Sequence, residues 1–223
     1  MNTKRDNTSL KEIATLKQQI EIFGCPNCSQ EIKRIKLEVT NGEPGIIYSD
    51  RKGLRGNSSS PSIIKCEGCE SVYWLSSRNF VKEDEIDVIN APIIELAKPL
   101  SYFELNSALS NEESCSDDEM EKYLRIELWW RYNDKYRDVN PIMVGDGIDL
   151  LINRKNMRKL IELLDISIDE EKLMVAEVHR NLCEFEKCVQ TLKDFRSSKF
   201  KNEVGQMIVA CAMKNDKVFR IEK

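Results

Sequence analysis

One histidine, His179, serves all 223 residues, so the imidazole that most often acts as a general base is available at a single position. No nucleophile stands at a recognisable spacing from it. The chain also has no Gly-rich phosphate loop, no dinucleotide fingerprint and no zinc-hydrolase motif. The expectation is a protein without enzymatic activity. Long apolar runs are missing as well. No stretch approaches the ~20 apolar residues that span a bilayer, and Met1 to Ile20 alternates charged with apolar residues where a signal peptide needs an apolar core. That reading places the chain in the cytoplasm, with no membrane partner. Cysteine is too sparse for a disulfide framework. There are eight in the whole chain and half of them fall in two close pairs, which favours metal ligation in a reducing compartment.

Those pairs, Cys25-Pro26-Asn27-Cys28 and Cys66-Glu67-Gly68-Cys69, are the sharpest chemical signal present. A two-residue spacer lets a tight turn aim both sulfurs at one ion, and two such knuckles close a tetrahedral Zn2+ site with no position open to substrate. Cys25, Cys28, Cys66 and Cys69 therefore read as ligands of a structural zinc. An Fe(Cys)4 centre would use the same four residues. A thioredoxin-type redox role for Cys25 and Cys28 would need a βαβ setting, which the surrounding pattern does not offer.

Charge is unevenly spread. The first 80 residues carry +3, residues 81–122 carry −9 and the remainder +2. A Zn(Cys)4 centre adds −2, leaving the first segment roughly neutral, and no nucleic-acid footprint emerges. Leu10, Ile13, Leu16 and Ile20 at helical spacing, with Ser9 and Glu12 placed as a capping box, predict an N-terminal helix over residues 1–20. Residues 21–80 then form a β-rich zinc ribbon, interrupted by a Gly/Pro/Ser-rich excursion over 41–62. In it Ile32, Ile35, Leu37 and Val39 approximate strand alternation, and Ser71 to Leu75 reads as the strand leaving the second knuckle. Residues 81–116 read as an acidic connection and 117–223 as a helical domain. Ser116 and Glu119 cap its first helix. Met157, Leu160, Ile161 and Leu164 mark a second, Asp169 to Leu182 and Glu186 to Phe195 two more, and Val204 to Met213 a last one with Ile208, Ala212 and Cys211 inward. The fold class is α+β, with the ribbon and the antiparallel helices as separable folding units.

The segment Ala176 to Leu192 resembles one tetratricopeptide helix–turn–helix unit. Ala176 takes a small-residue position and His179 one often aromatic. Cys183 replaces the turn glycine, Phe185 matches the aromatic after it, Cys188 replaces a small alanine and Leu192 fills the large apolar position. The whole chain resembles a group of uncharacterised bacterial proteins in which a split zinc ribbon precedes a tetratricopeptide-like domain. The residues carrying that likeness are Ile47-Tyr48-Ser49-Asp50, the second knuckle with Tyr73-Trp74-Leu75, and Leu128-Trp129-Trp130-Arg131-Tyr132-Asn133-Asp134. It implies architecture and no activity. The knuckles depart from the common form in placing Ser29 and Glu70 where glycine is frequent.

Two functional classes follow. The leading one is a non-enzymatic zinc-binding adaptor whose helices contact an unidentified protein partner. The alternative is a zinc-ribbon nucleic-acid-binding regulator, using Lys33, Arg34, Lys36, Arg51, Lys52 and Arg55 with Tyr73 and Trp74 as stacking platforms. Against it, Trp74 after a knuckle is better placed to cover the metal, and Glu31, Glu38, Glu43 and Asp50 dilute the positive field. His179, Cys183 and Cys188 lie close enough in sequence for a second metal site, but buried cysteines at helix contacts are ordinary packing. Trp129 and Trp130 point to different faces of one helix, so one of them is free to meet the ribbon or another partner.

Overall fold

The computed structural model describes residues 17–36, 46–54, 61–87, 96–137 and 147–222. Strands come first. β1 (Lys17–Gly24) is the centre of a three-stranded antiparallel sheet, flanked by β2 (Glu31–Ile35) and by β7 (Phe80–Asp87). Two short antiparallel hairpins lie between them in sequence, β3 (Ile46–Ile47) with β4 (Gly53–Leu54) and β5 (Ile63–Lys65) with β6 (Val72–Trp74). Six helices follow: α1 (Tyr102–Ala108), α2 (Asp118–Asn133), α3 (Ile148–Leu163), α4 (Asp169–Asn181), α5 (Phe185–Lys193) and α6 (Lys201–Ala212). The protein is thus α+β. No helix among the described residues is long and apolar enough to cross a membrane.

The helix expected at the N-terminus is corrected where it can be seen. Residues 1–16 lie outside the described residues, and Lys17 to Ile20 belong to strand β1. Ile20 and Ile22 alternate with Gln19 and Glu21, and backbone pairing on both edges of β1 selects that two-residue period over the helical one. Leu37, Val39 and Arg55 also lie outside the described residues.

The acidic stretch 81–116 is more than a connection. Its first part continues β7, an edge strand with most residues exposed, where charge is tolerated and discourages further strand pairing. Its later part forms α1, closed by a complete capping box between Ser101 and Glu104. Tyr102, Leu105 and Ala108 line the buried face of α1 and share a core with Leu124, Leu128 and Tyr132 of α2. Helix α2 is capped one residue later than expected, by Asp117, whose carboxylate accepts from the Met120 N–H at 2.8 Å.

The expected division between ribbon and helices is crossed by contacts at two places. Ile63 is buried in the α1–α2 core, with Val72 and Trp74 packed against it. The excursion between the knuckles reaches the other end of the chain. Ser49 N–H donates to Phe219 carbonyl at 2.8 Å and Ile221 N–H to Ile47 carbonyl at 2.9 Å, a strand-like exchange across the bridge between Tyr48 and Arg220. The knuckle hairpins keep a small buried cluster of their own, Phe23, Cys25, Ile64, Cys66, Tyr73 and Leu75, and bury Ile63 on the other side against the helices.

Within the helical part, Trp129 is fully buried with Met157, Leu160, Val175 and Val178, where α2, α3 and α4 meet. Leu173, Ala176, Cys188, Leu192, Met207 and Cys211 join α4, α5 and α6. The inward face of α6 is Met207, Ala210 and Cys211, at i, i+3 and i+4, whereas Ile208 and Ala212 face solvent.

Candidate metal centre

The two knuckles are the same device built twice. In the first, Ser29 N–H donates to Cys25 carbonyl at 2.8 Å and Cys25 N–H to Gln30 carbonyl at 2.9 Å. In the second, Glu70 N–H donates to Cys66 carbonyl at 2.9 Å and Cys66 N–H to Ser71 carbonyl at 2.8 Å. Both turns need a left-handed residue just after the second cysteine. Ser29 at φ 62° and Glu70 at φ 60° supply it, where glycine would adopt the conformation without strain. β1 and β2 present the first pair, β5 and β6 the second, and the hairpins close on each other. Gly68 lies against the Gln30 side chain of the first knuckle, whose Oε1 would be 2.0 Å from an added Cβ and would have to swing away.

The result brings Cys25, Cys28, Cys66 and Cys69 together with all four sulfurs within 4.8 Å of one another. Cys25 and Cys69 sulfurs are 3.6 Å apart, as are those of Cys28 and Cys66. A disulfide would need about 2.05 Å, and all four are free thiols. The edges of a tetrahedron with ~2.3 Å zinc–sulfur bonds are ~3.8 Å long, so the donor set fits a metal ion such as zinc. Cys25 and Cys66 are buried, Cys69 is half-buried and Cys28 is exposed. Among the described residues this is the one cluster of three or more such donors.

Electrostatics around the sulfurs favour thiolates at one end. Ser71, through its hydroxyl and then its N–H, holds the Cys69 thiol down to about 5. Burial opposes ionisation of Cys25, but the Ser71 hydroxyl and the Cys28 and Asn27 N–H groups outweigh it and lower its pKa. Cys28 is favoured as thiolate by the Gln30 N–H, yet the sulfurs of Cys69, Cys66 and Cys25 push it up to about 12. Four thiols cannot all ionise side by side unless a cation neutralises them.

Ser71 is the functional residue that motif reading missed. Its hydroxyl lies 3.0 Å from the Cys69 sulfur and 3.4 Å from that of Cys25. Its place two residues after the second cysteine, matching Gln30 in the first knuckle, was the available signal. The residue over the centre is Tyr73, buried with Phe23, Cys25, Ile64 and Cys66. Its hydroxyl is raised by burial first and by the neighbouring cysteines next. Trp74, expected there, is on the opposite side of its strand, where its indole N–H donates to Ser114 carbonyl at 2.9 Å and its ring meets Tyr123 edge-on.

The other sequence candidates are dispersed or satisfied. His179 Nδ1 is 2.8 Å from Glu184, Cys183 faces Asp216, and Cys188 is buried with Cys211 in the α5–α6 core. Of the cations proposed for nucleic acid, Arg34 pairs with Glu21 at 2.7 Å, Lys36 with Glu83 at 2.6 Å, Arg51 with Glu203 at 2.8 Å and Lys52 with Asp134 at 2.8 Å. Lys33 sits on β2, with its backbone bridged to Leu96.

A second polar constellation, without a motif, ties the excursion to the helices. Asp50, fully buried, accepts from Arg137 and from Asn133 at 2.9 Å, while the Trp130 indole donates to its carbonyl at 2.9 Å. Ser49 donates to Glu177 at 2.8 Å, Glu177 pairs with Arg180, and Arg180 reaches the carbonyls of Asn215 and Lys217. Trp130 thus meets the ribbon excursion while its neighbour Trp129 stays in the helical core, donating to Asn181 at 2.9 Å. These groups bond one another across chain segments far apart in sequence, which suits a role in holding those segments together.

Compared with protein-family models, with curated proteins and with solved structures, the chain matches none.

Proposed function

We propose that this protein is a non-enzymatic adaptor in which a structural zinc, held by Cys25, Cys28, Cys66 and Cys69, organises a zinc ribbon while a tetratricopeptide-like helical part contacts a protein partner. The observation that carries the reading is a division of roles. The donor set is all sulfur and closed, which suits a folding element rather than a reaction centre. The helical part carries exposed apolar side chains, among them Ile148 and Leu151 of α3, Val209 of α6 and Met213 at its C-terminal cap. When bound, zinc supplies cross-linking of the two hairpins. The chain's own residues shape the turns, cover the sulfurs with Tyr73 and direct the Ser71 hydroxyl at two of them.

The tetratricopeptide likeness draws support from the α4–α5 hairpin. Cys183, standing where the turn glycine belongs, has φ 62°, and Ala176 and Cys188 are fully buried where the helices approach. Phe185 packs against the same core and Leu192 is buried within it. The paired state of Arg34, Lys36, Arg51 and Lys52 leaves few cations to release counterions from phosphates, which supports a protein partner over nucleic acid.

Affinity purification of the native-level protein, with and without nuclease, tests this. The expected result is a reproducible protein partner that survives nuclease, together with weak binding of single-stranded DNA and RNA and a shallow salt dependence in fluorescence anisotropy. Tight binding that falls steeply with salt, with partners lost on nuclease treatment, would replace the adaptor with the regulator.

A further inference from the structure

The outer face of α6 and the C-terminal tail enclose an open groove of about 900 Å³, lined by Val209, Ala210, Met213 and Phe219 on its apolar side. Val209 and Met213, at i and i+4, are 58% and 75% exposed and stand on one side of the helix end. Met213 sits at the helix end and Lys201 at its start, so the groove runs along about 18 Å of helix. That length matches five or six residues of extended chain at ~3.3 Å each.

The polar margin has a sign. Lys199, Lys201 and Arg220 line the groove against one carboxylate, Glu222. Lys199 is paired with Glu170 at 2.9 Å. Lys201 and Arg220 are exposed and form no ion pair among the described residues. The groove also shows how α6 receives main chain. Gln206 accepts from Glu222 N–H at 3.0 Å and donates to Glu222 carbonyl at 2.8 Å, while Asn202 donates to the same carbonyl. The amide side chains of α6 that line the groove thus already bond the main chain of one passing segment.

We propose that this groove binds a short extended segment of a partner protein in which apolar residues alternate with aspartate or glutamate. The apolar side chains would enter between Val209, Met213 and Phe219, and the carboxylates would meet Lys201 and Arg220. The combination follows from the lining, in which each wall carries both an apolar and a basic residue, Val209 with Lys201 on α6 and Phe219 with Arg220 on the tail, while neighbouring side chains of an extended segment point in different directions. This assignment rests on the adaptor reading and names the chemistry of its partner.

The test uses the full chain purified with zinc and a fluorescein-labelled hexapeptide alternating leucine with glutamate, compared with one alternating leucine with lysine. Anisotropy should detect the acidic peptide at micromolar concentration and at least tenfold weaker binding of the basic one. The double variant Lys201→Glu/Arg220→Glu should weaken the acidic peptide at least tenfold. Met213→Asp, at an exposed position, should do the same with unchanged far-ultraviolet dichroism and thermal midpoint. Equal binding of both peptides, or of wild type and both variants, overturns the assignment. Native purification separates its failure from that of the adaptor reading. Partners retained equally by wild type and the double variant remove the groove and leave the adaptor standing, whereas a wild-type chain that retains no protein partner takes both down.

Discussion

Ser71 turns the cysteine quartet into a polarised site, because one hydroxyl serves two sulfurs at 3.0 and 3.4 Å. Groups that hydrogen-bond a metal ligand orient it and tune its basicity, typically at a cost of 10- to 100-fold in affinity when removed. Ser71→Ala should therefore weaken zinc binding about tenfold or more in chelator competition, with Ser71→Thr close to wild type. Unchanged affinity in the alanine variant would make the hydroxyl a bystander. Glu184 offers a residue-scale test by pH. Arg158 first, with help from His179 and Lys187, holds its carboxyl down to about 2 from an ordinary 4.5. A depressed folded pKa means its pairing stabilises the protein above the unfolded value and is lost as pH falls through the folded one. The destabilisation caused by Glu184→Gln should be full above about pH 4.5 and fade toward pH 2, as read by urea midpoints across that window. A constant difference down to pH 2 would contradict the pairing.

At the scale of elements, the β3–β4 excursion is the least expected part of the fold and the most heavily anchored. A loop would ordinarily keep its carboxylates in water, yet Asp50 is fully buried against Arg137, Asn133 and the Trp130 indole. Removing one partner of a buried charge pair costs about 3–5 kcal/mol when the other is left alone, and because Arg137 keeps a second pair with Asp134 at 2.5 Å the lower end of that range applies. Asp50→Ala should cost about that much in chemical denaturation and leave zinc stoichiometry unchanged, because the knuckle sulfurs are elsewhere in the ribbon. A loss below about 1 kcal/mol, the scale of an exposed ion pair, would show that the anchor is solvated in solution. Helix α6 shows why spacing misassigned its faces: Met207, Ala210 and Cys211 make an inward stripe as good as the expected one, and contact with α5 selects between them.

For the whole molecule, the decisive fact is that the cysteine hairpins and the helices share buried surface. Ile63 packs with Leu124 and Leu128, and the tail from Asn215 to Ile221 is held by Arg180 and by the excursion. Zinc removal should therefore loosen both parts together. Hydrogen exchange after chelation should show protection falling in Ile63 to Lys65 and in Leu124 to Leu128 at the same chelator concentration, with one cooperative loss of helical signal. Helices that keep full protection while the hairpins exchange freely would restore the picture of two independent units.

The four cysteines, the order of strands before helices and the α4–α5 hairpin were legible because each is written locally. A CxxC spacer, a 3.6-residue apolar period and a turn residue such as Cys183 act over a few positions and need no distant partner. The first strand was read as helix because Leu16 and Ile20 fit a helical spacing, while the edges that extend Lys17 to Gly24 come from residues up to Asp87. The same distance hid Ser71 from the Cys25 sulfur, Asp50 from Arg137 and Ser49 from Glu177. The sequence by itself determined the cysteine quartet that could hold a metal, the periodic helices and the α+β class, since local geometry and donor chemistry suffice for those. Only the tertiary structure decided that the excursion is an anchor and that Ile63 of the hairpins is buried against α1 and α2, because burial of a charge or an apolar face depends on which remote segment comes to cover it.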